Sequence, residues 1–239
     1  MKNYVCEQSL GSIIGSSFKI YIKNFRSLFL IYFLPVFPFA VFAQHVQLEE
    51  NVTAWVKIAA SVSSFFVMIF TMPPITVAVS NICLGNKASL LHSYRYVFGK
   101  GFGGFLLTYL LLSMAMAIGF ILLFIPGIFC IFWFMFTLQV AVLERISGRN
   151  ALKRSKELGK GFYLRNLGVL FIMGIIAGVL GGLFWGVIGA FFTPDKLESG
   201  LYKLLFTTAI TAVSHLLTPI TLIGTVLLYY DMRVRKEAY

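Results

Sequence analysis

The sequence predicts an all-α polytopic membrane protein, with six transmembrane helices arranged as three hairpins that each follow a cytoplasmic amphipathic helix. Three observations support this prediction. Hydrophobic residues make up 59% of the 239 positions and charged residues only 12%, and the mean hydropathy of +0.86 is far above that of soluble domains. Six apolar segments are long enough to cross a bilayer core of about 30 Å. The basic residues lie almost entirely on one side of these segments.

The overall charge and the cysteines further limit the kinds of partner and site that this membrane protein is expected to have. A net charge of +11 would suggest a nucleic-acid partner in a soluble chain, but here the sidedness of the charges explains it, so no nucleic acid is expected. Cys6, Cys83 and Cys130 have no CxxC pair and no metal-ligand spacing, and they predict neither a disulfide framework nor a metal site. The first apolar run begins near Ser27 without a cleavage site after it, which favours an uncleaved first span over a signal peptide.

The six predicted spans form a single membrane domain over residues 1–239. Their apolar segments lie near 27–43, 54–82, 103–124, 127–143, 167–192 and 203–229. Pro35 and Pro38 predict a kink in the first span, and Pro73 and Pro74 predict one in the second. Pro126-Gly127 interrupts a long apolar stretch and predicts a tight hairpin turn between the third and fourth spans.

The distribution of lysine and arginine indicates which ends of the spans lie on the same side of the membrane. Seventeen of the twenty fall on one side of the predicted spans, and three fall on the other: Lys57, Lys196 and Lys203. The positive-inside rule then places both termini in the cytoplasm.

Three amphipathic segments precede the three pairs of spans and define approximate repeat units 9–86, 87–148 and 149–239. Their apolar faces carry Leu10, Ile14, Phe18, Tyr21 and Phe25 in the first, Leu90, Tyr94, Val97 and Phe98 in the second, and Ala151, Leu152, Ser155 and Leu158 in the third. The basic residues expected to face lipid or a partner are Lys19, Lys23, Arg26, Arg95, Lys100, Arg149, Lys153, Arg154, Lys156 and Lys160. Near anionic lipid each would contribute about 1 kcal/mol. The helices are either plain membrane-surface anchors for the hairpins, or a lipid-sensing collar or a docking ring for a partner.

A stripe of small residues marks the fifth span. It consists of Gly174, Gly178, Gly182, Gly186 and Ala190, which recur every four residues and therefore share one helix face. Small residues allow close backbone approach between membrane helices. Packing within the chain is the favoured interpretation, and a homodimer seam is the alternative.

A hydroxyl stripe marks the sixth span. It consists of Thr207, Thr211, Ser214, Thr218, Thr221 and Thr225, with His215 beside it near mid-membrane. These side chains could line a polar cavity and handle substrate or protons, or they could bond their own backbone and neighbouring helices. Gln139 and Asn81 are possible polar partners.

Catalytic signatures are missing from the sequence. It contains no HExxH, GxSxG, Walker loop, GxGxxG or paired-carboxylate spacing. Glu144 and Asp231 are placed at the cytoplasmic ends of spans, where salt bridges to nearby arginines are expected. We therefore expect a protein that is not an enzyme and holds no cofactor.

Three segments of the chain resemble a known group of proteins: FIPGIFCIFWFMFTLQVAVLE (124–144), SGRNALKRSKELGKGFYLRNLGVL (147–170) and LTPITLIGTVLLYYDMRVRKEAY (217–239). The resembling residues are Pro126-Gly127, Glu144, Ala151, Ser155, Leu158, Gly161, Tyr230-Asp231 and Arg233. The group is the bacterial six-helix inner-membrane proteins related to the membrane domain of glycerophosphoryl diester phosphodiesterases, including the YciC-like family. The resemblance implies six helices in a bacterial inner membrane. It does not imply phosphodiesterase activity, because the catalytic part of those enzymes is a separate soluble domain with a cluster of Glu, Asp and His.

Two functions fit these observations. The first is an accessory or scaffold subunit that engages anionic lipid and a membrane or cytoplasmic protein through its basic helices. The alternative is a small transporter or exporter of a lipid-like or amphipathic substrate that uses the hydroxyl stripe and His215.

Overall fold

The structure is a computed structural model that describes residues 4–48, 53–99, 101–122, 124–191 and 200–237. For 200–215 and a few shorter stretches it describes the backbone alone. The described chain is all-helical, with 87% of its residues in helix and no strand. The elements are α1 (Leu10–Lys23), α2 (Phe25–Leu48), α3 (Ala54–Cys83), α4 (Leu90–Phe98), α5 (Phe102–Leu122), α6 (Phe124–Phe134), α7 (Thr137–Gln139), a π-helical turn (Val140–Glu144), α8 (Arg149–Gly159), α9 (Tyr163–Phe191) and α10 (Gly200–Glu237).

Four helical stretches of the described chain are long and apolar enough to cross a membrane. They are Phe25–Ala43, Phe102–Leu122, Gly127–Glu144 and Tyr163–Val187, and they coincide with the first, third, fourth and fifth predicted spans. The second predicted span lies in α3, which contains a shorter apolar stretch, Val67–Cys83. The sixth lies in α10.

Helices that follow one another along the chain pack in pairs. α2 packs against α3, α5 against α6, and α9 against α10, as short connections between antiparallel helices favour. α10 lies at the centre, since it also contacts α1, α2, α3 and α8. Its residues Ile223, Val226 and Leu227 are fully buried.

The α5–α6 hairpin differs in one detail from its prediction. α5 ends at Leu122 and α6 begins at Phe124, so Pro126-Gly127 lies in the first turn of α6 and does not form the connection. The first turn tolerates proline, because its amide would have no helical partner there. Gly127 instead packs against buried Gly119: a Cβ built on Gly119 would lie 3.3 Å from the Gly127 Cα atom.

The amphipathic helices form where they were predicted, with serine caps at two of them. Ser9 accepts from the Ser12 amide (3.2 Å) at the start of α1, and Ser89 accepts from the His92 amide (3.5 Å) at the start of α4. In α8, Ala151, Ser155 and Leu158 are buried as predicted, and Leu152 is half-buried.

The buried faces of α1 and α4 differ from the predicted ones. In α1 the buried residues are Ile13, Ser17, Ile20 and Tyr21, whereas the predicted Leu10 and Phe25 are exposed and Ile14 and Phe18 are half-buried. In α4, Ser93 and Val97 are buried, Leu90 and Tyr94 are half-buried, and Phe98 is exposed. Ser17 and Ser93 were not among the predicted buried residues of α1 and α4, but they donate to carbonyls of their own helices (2.8 Å each) and so can be buried.

The apolar faces of these helices contact other elements of the chain. α1 packs on α9 and α10, α4 on α2 and α3, and α8 on α5, α6, the π-helical turn and α10. The Tyr21 hydroxyl donates to the Leu216 carbonyl (2.6 Å) in the turn of α10 that precedes Pro219. That proline lacks an amide hydrogen and weakens the local helical bonding.

Candidate functional site

One end of the bundle gathers the chain's buried charge, beginning with Asp231. The Asp231 side chain is fully buried, and its carboxylate accepts from the Gln8 backbone amide (2.7 Å), from Arg235 Nε (3.1 Å) and from Arg165 Nη1 (2.6 Å). Arg165 Nη2 also donates to the Gln8 carbonyl (2.6 Å), and Arg235 pairs with Glu7 (2.9 Å). A buried carboxylate is tolerated when it is paired and hydrogen-bonded in this way. This cluster fastens the segment before α1 to the start of α9 and the end of α10.

A second ion network lies nearby. Glu144 accepts from the Tyr229 hydroxyl (2.7 Å) and from Arg154 Nε (3.0 Å). Arg154 also pairs with Glu237, which accepts from Arg233 Nε (2.8 Å). Burial alone would raise the pKa of Glu237, but the hydrogen bonds from Arg233 and Arg154 outweigh it and hold that pKa below its ordinary value. The predicted salt bridges of Glu144 and Asp231 are confirmed.

The π-helical turn positions Glu144 and ends in strained backbone. Arg145, which follows it, has a φ of +54°, a left-handed conformation that costs energy for a residue other than glycine. Its guanidinium lies 4.4 Å from the Tyr96 ring centroid, and its Nε donates to the Tyr96 hydroxyl (3.2 Å). π-helical turns recur at functional sites. No sequence signal predicted this one.

A cavity of about 650 Å³ opens at this end, between α3, α4, the π-helical turn and the end of α10. Its apolar lining includes Val77, Leu143 and Val234, and its polar lining includes Ser80, Tyr230 and Arg233. Asn81 and His92 also line it, and their side chains are hydrogen-bonded to each other (3.3 Å). Sequence reasoning missed this cavity, because its lining comes from five separate segments, the fifth being the segment before α1, which contributes Val5.

The hydroxyl stripe of α10 is described only in part. Thr221 and Thr225 donate to carbonyls of their own helix (2.8 Å each), and Thr225 accepts from Gln139 Nε2 (3.2 Å). Thr218 is hydrogen-bonded to Tyr32 and lines a cavity of about 320 Å³ between α2, α3 and α10. The side chains of Thr207, Thr211, Ser214 and His215 lie outside the described part of the structure.

Most of the predicted basic residues are exposed. The exposed ones are Lys19, Lys23, Arg26, Arg95, Arg149, Lys153, Lys156 and Lys160. Arg154 differs, because it is half-buried and holds two carboxylates inside the chain. The Lys156 ammonium lies 3.9 Å from the Trp133 ring centroid. Lys100 lies outside the described residues.

The glycine stripe of α9 has no neighbour among the described residues. Gly174, Gly178, Gly182 and Gly186 are exposed, with no described atom within 4 Å of a built Cβ, and Ala190 is also exposed. α9 instead packs through Val169 and Met173, and the Met173 side chain meets buried Gly224 of α10. The side chains of 200–215 lie outside the described part of the structure, so packing of this stripe within the chain, the favoured interpretation, stays a prediction. The homodimer seam stays a prediction.

Comparisons with known proteins add no relative. No protein-family model, no curated protein and no solved structure matches this chain.

Proposed function

We propose that this chain is a non-enzymatic, multi-pass protein of the bacterial inner membrane, with six crossings and both termini in the cytoplasm. In this proposal it is an accessory or scaffold subunit that binds anionic lipid, and a protein partner, through exposed basic residues of its amphipathic helices. Four described stretches suited to crossing a membrane support the membrane setting.

The contacts between segment ends support six crossings. Gln8 contacts Asp231, Ser80 shares a hydrogen bond with Tyr230 (2.6 Å), and Glu144 contacts Tyr229. Groups in contact lie on the same side of a membrane. Four segments therefore share a side: the one before α2, the one after α3, the one after the π-helical turn and the end of α10. An even number of crossings must separate each of them from the next. α3 and α10 contain 30 and 38 residues, or about 45 and 57 Å of helix, enough to cross a core of about 30 Å.

One observation carries the lipid-binding proposal. The three amphipathic helices use their apolar faces for packing within the chain, while eight of their predicted basic residues stay exposed. Exposed charges of one sign beside a membrane attract anionic lipid. We do not count Arg154 as part of this surface, because its guanidinium is already paired with Glu144 and Glu237 of the same chain.

Native mass spectrometry of the protein in nanodiscs tests lipid binding. The discs contain phosphatidylethanolamine and phosphatidylglycerol, and the measured quantity is the preference for phosphatidylglycerol among retained lipids. Replacing Lys19, Lys153 and Lys160 by Gln should lower this preference at least about fivefold, since each basic residue contributes about 1 kcal/mol. The matched control replaces Lys57, Lys196 and Lys203 by Gln. It removes the same number of positive charges, but on the predicted opposite side of the membrane.

Equal lipid preference in both triple variants would contradict the proposal. The same preparation tests the accessory role, which predicts a partner protein that co-purifies in stoichiometric amount. Purification of the chain alone would count against a stable subunit.

Membership in the six-helix group related to the phosphodiesterase membrane domain is also a proposal. Several of the resembling residues hold the charged end together: Glu144, Ser155 and Asp231 all make buried or half-buried hydrogen bonds between elements. Their roles are structural, in keeping with a shared membrane fold and no shared catalysis.

A transporter of an amphipathic substrate is the second candidate. The cavity beside Thr218 favours it, because this cavity lies among α2, α3 and α10 and combines apolar walls with Thr71 and Thr218. Substrate flux into proteoliposomes would distinguish transport from lipid binding alone.

A further inference from the structure

The cavity at the charged end has the size and lining of a small-molecule site. Its volume of about 650 Å³ falls within the roughly 300–1,000 Å³ of such sites, which combine mostly apolar walls with a few directed polar groups. Val77, Leu143 and Val234 supply apolar wall.

Hydrogen-bond donors remain for a ligand in this cavity. Arg233 uses Nε to bond Glu237 (2.8 Å), and the described residues provide no hydrogen bond to its two terminal amino groups. The hydroxyls of Ser80 and Tyr230 bond each other (2.6 Å). One of the two donates in that bond, so the hydrogen of the other is available to an acceptor.

The charge around the cavity favours an anion. The charged residues of the lining are Arg233 and Glu237, and the Glu237 carboxylate is held by Arg233 and by Arg154 from outside the lining. Arg145, which lies over the ring of the lining residue Tyr96, adds a further positive charge beside the cavity. A guanidinium with two free amino groups matches the geometry of a phosphate group and can donate to two of its oxygens at once.

We infer that this cavity binds one molecule of a phosphate-headed lipid, with its phosphate on Arg233 and the Ser80–Tyr230 hydroxyl pair and its apolar part along Val77, Leu143 and Val234. This inference rests on the proposed membrane setting for the source of the ligand. It differs from surface lipid binding, because it names a single cavity that does not use the exposed lysines.

Isothermal titration of the full chain in phosphatidylcholine nanodiscs tests the site. The probe is dihexanoyl phosphatidate, and empty discs give the baseline for partition. We expect one saturable site per chain. The substitution Arg233→Gln should weaken binding about tenfold or more, because a charge-assisted bond is lost, whereas Arg233→Lys should retain most of it.

A second substitution tests the site without removing an ion pair. Leu84 lines the cavity and is 60% exposed, so Leu84→Trp should narrow the cavity and weaken binding while the fold is kept. Leu91 is 74% exposed on α4 and is not among the lining residues, so Leu91→Trp is the matched control and should bind like the wild type.

Three results would overturn the inference. One is unchanged binding in both Arg233→Gln and Leu84→Trp. Another is equal binding of inorganic phosphate and dihexanoyl phosphatidate, which would assign the site to free phosphate. The third is loss of binding in the Lys19, Lys153 and Lys160 triple variant, which would assign the signal to the surface. That variant also separates the two proposals, because it should lose the phosphatidylglycerol preference and keep the single cavity site.

Discussion

Ser155 lies beside the break between α6 and α7, and it is fully buried. Its hydroxyl donates to the Trp133 carbonyl (3.0 Å) and accepts from the Phe136 amide (3.1 Å). A helix end leaves such backbone groups without helical partners, and in a low-dielectric interior each unpaired group is costly. One side chain of α8 therefore stabilises the break in the neighbouring segment.

Substitution of Ser155 by Ala should lower the free energy of unfolding by about 1–3 kcal/mol, because two buried backbone groups lose their partner. Ser113→Ala is the matched control, since the Ser113 hydroxyl donates only to the Tyr109 carbonyl of its own helix (2.8 Å) and is half-buried. Equilibrium unfolding in mixed micelles measures the free energy of unfolding of both variants. Equal losses in the two variants would show that the interhelical bonds contribute nothing.

The sequence predicts salt bridges at Glu144 and Asp231 but does not predict their partners. Asp231 is bonded to Gln8 and Arg165, which lie 223 and 66 positions away in the chain. Such pairs depend on where α1 and α9 lie relative to α10, and nothing in the local pattern of charges determines that arrangement.

The space around each glycine shows whether its helix face is packed against a neighbouring helix. A Cβ on Gly119 would lie 2.9 Å from Cys130 Sγ and 3.3 Å from the Gly127 Cα atom, whereas a Cβ on Gly182 would have no atom of the described residues within 4 Å. Close backbone approach through small residues holds α5 and α6 together, as it does in other membrane helix pairs.

Substitution of Gly119 and of Gly182 by alanine should have different effects on the free energy of unfolding. Gly119→Ala should destabilise the protein by about 1–3 kcal/mol, because α5 and α6 must move apart. Gly182→Ala should leave stability unchanged or raise it by up to about 1 kcal/mol, because alanine is the better helix former. Thermal unfolding in detergent compares them, and a larger loss at Gly182 would mean that the stripe on α9 is packed after all.

The periodicity of the sequence predicts some helix faces well and others poorly, for a physical reason. In α8 the charged residues mark the outer face, so the buried positions Ala151, Ser155 and Leu158 follow from the pattern. α9 is apolar on all sides, and lipid is as apolar as the protein interior, so hydrophobicity cannot indicate which side packs. The sequence therefore leaves the partner of the glycine stripe open between packing within the chain and a homodimer seam. The helices themselves, and their pairing, follow from length and short connections.

Across the whole molecule, the N-terminal segment and the ends of α3, the π-helical turn and α10 meet at one end, where buried ion pairs and a cavity of about 650 Å³ lie together. The distribution of lysine and arginine along the sequence predicts that these segments share a side. The cavity itself could not be predicted, because it exists only where these segments and α4 converge.

The lipid-binding proposals both require this end to face the cytoplasm and α3 to cross the membrane. Single cysteines at Lys57, Asn86 and Lys160, in a variant without Cys6, Cys83 and Cys130, test this with a membrane-impermeant maleimide. The account predicts that the cysteine at position 57 is labelled in intact spheroplasts, and that those at 86 and 160 are labelled only after the membrane is opened. Labelling of positions 57 and 86 from the same side would contradict it.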